Sequence, residues 1–382
     1  MRIHSRWLVA AMILIGTAGR ADAQDVRVQT RTPPDEVIRE VMRIVNEALG
    51  PDLSRDISRE VQSAIGHLPR IMTAVPHFVV PGAAQDRNFP IRVEDRETKT
   101  VRLGAAGALE LRTVGGNITV SAGSGNDATV EIVRTSRGRT DADAKTGLER
   151  VKVEVDQQSE RATVSVQYPS DIRPPYSVSV SYKVKAPAGT RLTISTLGGN
   201  ITVSDIKGDM STSTHGGNTT ITNARGVTAK SLGGTMTFTG IDSDGTVQAE
   251  TLGGNLDFRK VKARRVQAST VGGDVSATDV TCDNADLGTM GGNVTFSGAL
   301  SRSGRYELHT NGGDVTFTPS SGAGYELQAS TFAGDIRTEG VTMQIRGSVT
   351  GRGPNRSLRG TVGDGSALVI LRTFSGTVTV KK

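Results

Sequence analysis

Two aspartates, Asp314 and Asp335, each stand directly after a pair of small residues, in NGGDV at 311–315 and in FAGDI at 332–336. If equivalent positions of a repeat stack as successive coils, these carboxylates sit one coil apart, about 5 Å, near the separation of the two carboxyl groups of a retaining glycosidase. The same slot, however, holds Asn at 117, 200, 218, 255 and 293, Asp at 274 and Thr at 235. Charge-dependent catalysis does not tolerate that exchange, whereas a turn needing one side-chain hydrogen bond does. The slot is therefore read as structural, and no catalytic residue is assigned.

Other chemistries lack their parts. Calcium-binding β-rolls repeat Gly-Gly-x-Gly-x-Asp every nine residues, and the ion takes six to eight oxygen ligands; the period here is longer and supplies one acidic turn, so no metal is assigned. His215 immediately precedes a glycine pair and His309 stands three residues before another, five repeats on, or about 24 Å away in a stack. His67 and His77 lie in or just after a helical region. No HExxH, CxxC, Gly-rich loop ending in Gly-Lys-Ser/Thr or Gly-x-Ser-x-Gly elbow occurs, which removes zinc-protease, thiol-redox, nucleotide-phosphate and serine-elbow chemistry. Cys282, in VTCDNADL, has no Lys, Arg or His nearby to hold a thiolate and reads as a buried small hydrophobe. No cofactor is expected.

The elements that would position such residues begin with a leader. Arg2 and Arg6, the apolar WLVAAMILIG and Ala21-Asp22-Ala23 form a basic region, a hydrophobic region and an A-x-A site, predicting a secretory signal peptide over 1–23. That run is too short to span a bilayer, and no later one is longer, so the mature chain is expected to be exported, soluble and without a transmembrane segment. The sequence holds 45 Lys+Arg and 39 Asp+Glu; without the leader 42 basic face 38 acidic side chains, a charge of +4. Both signs are scattered rather than gathered into basic, aromatic-interleaved patches, so nucleic acid is not an expected partner. With Cys282 its single cysteine, the chain must hold together without an internal disulfide, and its single tryptophan, Trp7, lies in the leader.

Residues 24–76 read as a helical segment. Thr32 can cap a helix opened by Pro33 or Pro34, with Val37, Val41, Ile44 and Ala48 on one stripe, and Leu53, Ile57, Val61 and Ile65 mark a second. Residues 77–190 switch to period two, as in LELRTVGGNITV and YSVSVSYKVKAP, with one short helix at Asp141 to Arg150. From 191 to 382 the chain repeats. Successive glycine pairs begin at 198, 216, 233, 253, 272, 291 and 312, followed by Ala333 and, two periods later, Ser375. This period predicts an all-β fold, a parallel β-solenoid of about 20 residues per coil, in which roughly nine coils stand about 45 Å tall. Phe238, Phe258, Phe296 and Phe317 fall in one slot and predict an inward column of rings that Ala277 interrupts. The glycine pair is expected to supply positive φ at a corner, with Asn the next most tolerant residue. Lys381 and Lys382 would blunt the last edge strand, while the 77–190 block or the helices would cover the first.

The leader, the GGNITV at 115, the passage RVKVEV…ATVSVQYP…VSVSYKVKAPAGTRLTISTLGGNITV and the terminal ALVILRTFSGTVTV together resemble the bacterial putative-adhesin family of exported β-solenoid proteins, a domain of unknown function, over about residues 90 to 382. The resemblance implies that fold and an envelope location, and brings no catalytic residues. The expected function is a non-enzymatic, adhesin-like scaffold that binds an unidentified envelope component, protein or glycan, with self-association a further expectation. The alternative is a carbohydrate-active β-helix enzyme or a glycan-binding protein.

Overall fold

The computed structural model describes residues 89–169, 174–345 and 355–382, which lie within one compact unit, Val79–Lys382. The predicted leader, the paired helices of 24–76, His67 and His77 fall outside the described residues. Among the described residues the fold is all-β with one short helix and is solenoid-like.

The chain opens with β1 (Ile91–Arg102), β2 (Ala108–Arg112), β3 (Ile118–Ala122) and β4 (Asp127–Gly138), then α1 (Asp141–Arg150), β5 (Lys152–Gln158), β6 (Arg161–Gln167) and β7 (Tyr176–Ala186). Short strands follow: β8 (Arg191–Thr196), β9 (Ile201–Ser204), β10 (Met210–Thr214), β11 (Thr219–Thr222), β12 (Val227–Ser231), β13 (Met236–Thr239) and β14 (Thr246–Glu250). Three long ones come next, β15 (Leu256–Ser269), β16 (Val275–Gly288) and β17 (Val294–His309). The chain ends with β18 (Val315–Gly322), β19 (Tyr325–Thr331), β20 (Ile336–Glu339), β21 (Gln344–Ile345), β22 (Arg356–Val362), β23 (Ala367–Thr373) and β24 (Val378–Lys381). Helix α1 occupies the residues its sequence predicts. Thr140 caps it and Asp143 returns the bond in a capping box, which satisfies two donors of the first turn.

Each turn of chain lays down strands on two broad sides. On one, Leu192 pairs in parallel register with Met210, Met210 with Val227, Val227 with Val247, and Val247 with Val266. On the other, Ile201 pairs with Thr219, Thr219 with Met236, and Met236 with Leu256. A short third side closes the turn, and its inward residues Ile206, Ala224, Ile241, Val261 and Val280 are all buried. Alternation explains the burial: in MSTST of β10, residues 210, 212 and 214 are buried and the two serines exposed. Because equivalent residues lie above one another, Phe238 stacks on Phe258 at 4.8 Å and Phe296 on Phe317 at 5.5 Å, with Ala277 between the two pairs. All four rings are fully buried, and each stacked pair adds about 0.5–1.5 kcal/mol beyond its area.

The ends are built differently. Beneath the first turn, β2 pairs with β6 and then β5, while β3 pairs with β7, then β4 and β1. The edge strands β1 (IRVEDRETKTVR) and β5 (KVEVDQQ) carry alternating charges, which oppose further pairing. At the other end sequence order and stacking order part company. Strand β24 lies between β18 and β20, and β23 between β17 and β19, so the C-terminal strands form a layer inside the stack. The outer edge of β19 is covered by antiparallel β22. Two expectations are corrected. Ser375 precedes Ala333 in the stack instead of lying two periods beyond it, and Lys381 blunts no edge, since it sits on an interior strand with its ammonium 3.3 Å from Glu339.

Candidate binding surface at the glycine corner

The corner between the two broad sides is the most regular feature of the molecule. The copy at 114 enters the stack beneath that at 197, and backbone bonds of 2.8–3.0 Å run from the first small residue of each pair to the carbonyl before the pair one layer below. They run Gly198 to Val114, Gly216 to Leu197, Gly233 to His215, Gly253 to Leu232, Gly272 to Leu252, Gly291 to Val271 and Gly312 to Met290, then Ser375 to Asn311 and Ala333 to Phe374. Ten corners are therefore stacked.

Positive φ is not what the glycines supply, contrary to the expectation from sequence: no residue of these pairs has a positive φ. The second glycine is required for room. A Cβ on Gly217 would stand 1.9 Å from the carbonyl oxygen of Gly199, one on Gly254 2.0 Å from that of Gly234, and one on Gly376 1.9 Å from that of Gly313. A Cβ on the first glycine meets nothing closer than 3.5 Å at Gly233 and 3.7 Å at Gly253. Hence the first position accepts Ala333 and Ser375, while the second is Gly334 and Gly376 in those same copies.

Two side-chain ladders stitch the layers together. The Asn/Asp slot, read from sequence as a local turn bond, reaches the next layer instead. Asn200 Oδ1 accepts from the Asn218 N–H at 2.9 Å, Asn218 Oδ1 from Thr235 at 3.0 Å, Asp274 Oδ1 from Asn293 at 2.7 Å and Asn293 Oδ1 from Asp314 at 2.9 Å. Asn and Asp interchange because each offers an oxygen at that reach. The second ladder was missed. A buried hydroxyl stands two residues before every pair, at Thr113, Thr196, Thr214, Ser231, Thr251, Thr270, Thr289, Thr310, Thr331 and Thr373. Thr289 Oγ1 accepts from the Gly292 N–H at 3.3 Å and donates to the Gly273 carbonyl one layer down at 2.7 Å. Its sequence signal is a hydroxyl at an inward, otherwise apolar strand position in every copy.

The carboxylates singled out for chemistry are engaged here. Asp314 and Asp335 are not one layer apart, because Thr377 lies between them: Asp314 Oδ1 accepts from the Thr377 N–H at 2.7 Å, and the Val378 N–H donates to the Asp335 carbonyl at 2.8 Å. Two layers put them about 10 Å apart, outside the retaining-glycosidase separation. Asp335 Oδ1 also pairs with Arg356, with Arg337 3.7 Å from Oδ2. His215 and His309 stay five layers apart. Nδ1 of His215 is buried without a partner among the described residues, whereas His309 Nδ1 lies 4.0 Å from Asp286. Cys282 is buried, and burial, then the Asp283 charge, pushes its thiol up to about 12. Among the described residues no three His, Cys, Asp or Glu side chains gather as a metal site, and no helix is long and apolar enough to cross a membrane.

Next to the exposed Asn/Asp slot the corner carries a largely apolar column. The residue before each pair points outward, forming a column from Val114 and Leu197 through His215, Leu232, Leu252, Val271, Met290 and Asn311 to Phe374 and Phe332. Leu232 is 45% exposed, Leu252 55%, Phe374 48% and Phe332 41%, and the two phenylalanine rings stack at 4.8 Å. Beside it, one broad side presents hydroxyls in register, Thr202, Thr220 and Thr237, then Ser276, Thr295, Thr316 and Thr379. Asp257 interrupts that row and is held by Arg259.

No curated protein matches the chain. Among solved structures it is similar to a putative lipid binding protein from Parabacteroides distasonis (10% identity, 75% of this chain and 97% of that chain, TM-score 0.41). Others are a putative adhesin from Bacteroides fragilis (10%, 75% and 97%, TM-score 0.37) and one from Parabacteroides merdae (12%, 75% and 95%, TM-score 0.36). Residues 241–351, which hold several of the stacked corners, match the family model Toastrack DUF4097, and this is the family resemblance that the repeats carry.

Proposed function

We infer that the protein is an exported, non-enzymatic scaffold of the bacterial envelope, a β-solenoid with coils of about 20 residues whose long outer surface holds an envelope partner, protein or glycan. The observation that carries this reading is the fate of the recurrent polar groups. The Asn/Asp slot and the Thr/Ser slot are spent on bonds between layers, so repetition serves a stiff stack rather than a reactive centre. What faces solvent on the broad side is a row of hydroxyls extended over many layers, as suits contact with a large partner. The signal-peptide pattern of residues 1–23 supports export.

Capture from native cell envelopes on the immobilised full chain, followed by a glycan array, tests the reading. Retention of a defined envelope protein or glycan, weakened by Thr220→Lys or Thr295→Lys on the hydroxyl row, is the expected result. Turnover of a polysaccharide by the purified protein, lost in Asp335→Asn, would overturn it in favour of the carbohydrate-active alternative.

A further inference from the structure

We propose that the apolar column is the contact surface of a two-fold homodimer in which two copies lie antiparallel, each column facing the other. The order of residues along the column carries the proposal. It has ten positions, of which eight are apolar and two, His215 and Asn311, are polar; these are third from one end and third from the other. A two-fold axis through the middle of the column sets position three of one copy against position eight of its partner. The two polar residues then meet each other, in both halves of the interface at once, as an isologous contact demands. The same operation lays the large rings of Phe332 and Phe374 against the smaller Val114 and Leu197.

The neighbouring Asn/Asp slot selects the same orientation independently. Its aspartates occupy layers six, eight and ten. Antiparallel pairing sets Asp274 against Asn255, Asp314 against Asn218 and Asp335 against Asn117, whereas a parallel pair would set each aspartate against its own copy. Like charges face to face are penalised, and a neutral amide can donate to the carboxylate. The first glycine of nearly every pair is exposed and bears no side chain, so the column stands above the surface beside it and no neighbouring side chain holds the partner's column away. Nine steps of about 4.8 Å and a strip six residues wide at about 3.3 Å each give about 860 Å², close to the ~800 Å² that each partner of a standard interface buries.

Sedimentation equilibrium of the full chain is expected to give twice the chain mass. Leu232→Glu combined with Leu252→Glu should weaken association at least about a hundredfold by placing unpaired charges in the contact, with the circular dichroism spectrum unchanged and a cooperative melting transition retained, because both side chains are exposed. Orientation is read by cross-linking, with the buried Cys282 silent. Chains carrying His215→Cys should form disulfides with chains carrying Asn311→Cys and not with themselves, and Leu232→Cys with Met290→Cys gives the same readout at a second pair. A single-chain mass at every concentration, a dimer that survives both glutamates, or self-cross-linking of the single variants would each overturn the proposal.

Discussion

The two corners that flank the broad side of hydroxyls solve the same problem, reversing the chain within a layer, by different means. At the first, backbone layers approach so closely that a Cβ on the second glycine would meet a carbonyl oxygen at about 2 Å, although φ there is ordinary. At the second, two residues past the inward column of rings, φ is positive at Asp205 (62°), Asn223 (53°), Gly240 (65°), Lys260 (53°) and Asp279 (57°), and side chains have room. The first corner excludes a Cβ at its second glycine; the other excludes no residue outright but favours those that tolerate a left-handed backbone, namely Gly, Asn and Asp. Repetition of glycine thus marks close approach, while a mixed Asp/Asn/Gly/Lys column marks the left-handed turn.

Substitutions can break this contrast, and the largest effect is expected where room is least. Gly254→Ala should destabilise by about 3 kcal/mol or more, the upper end for overpacking, because the clash is with backbone that is itself locked in the stack; urea unfolding measures it. Next comes the hydroxyl that holds the corner: Thr289→Val strands the Gly292 N–H and the Gly273 carbonyl and should cost about 1–3 kcal/mol. At the second corner the sign reverses. Lys260→Gly relieves a left-handed lysine and should stabilise by up to about 1 kcal/mol, because the strain removed exceeds the entropy that glycine adds. Smallest is Gly253→Ala, one residue from the most damaging change, which should stay within about 0.5 kcal/mol of the parent. Equal losses from Gly253→Ala and Gly254→Ala would erase the distinction between room and conformation.

What could be read from the sequence follows from the range of the interactions. Phe238, Phe258, Phe296 and Phe317 were legible as a column because strand alternation and the repeat both place them inside, and helix α1 was legible because its capping box is local. The role of Asn293 was half legible: its need for a hydrogen bond shows in the Asn/Asp exchange, but its donor, the Asp314 N–H, is one layer away and no local pattern points to it. The Thr289 series was available as a hydroxyl in every copy and went unread, because strand threonines usually face outward. Stacking order at the C-terminal end was not legible at all. Counting periods assumes that each copy rests on the copy before it in sequence, and nothing in FSGTVTV says that it enters beneath FAGDIRT.

That insertion fixes where every corner of the last three layers lies, and disulfide trapping reads it directly. Thr316 and Thr379 are register partners on adjacent strands, about 4.8 Å apart and outward-facing, within disulfide reach; Thr316 and Arg337 are two layers apart, about 10 Å. The account predicts that Thr316→Cys with Thr379→Cys oxidises to an intramolecular disulfide and that Thr316→Cys with Arg337→Cys does not. Cross-linking of the second pair in place of the first would contradict it, restoring simple sequence order to the stack.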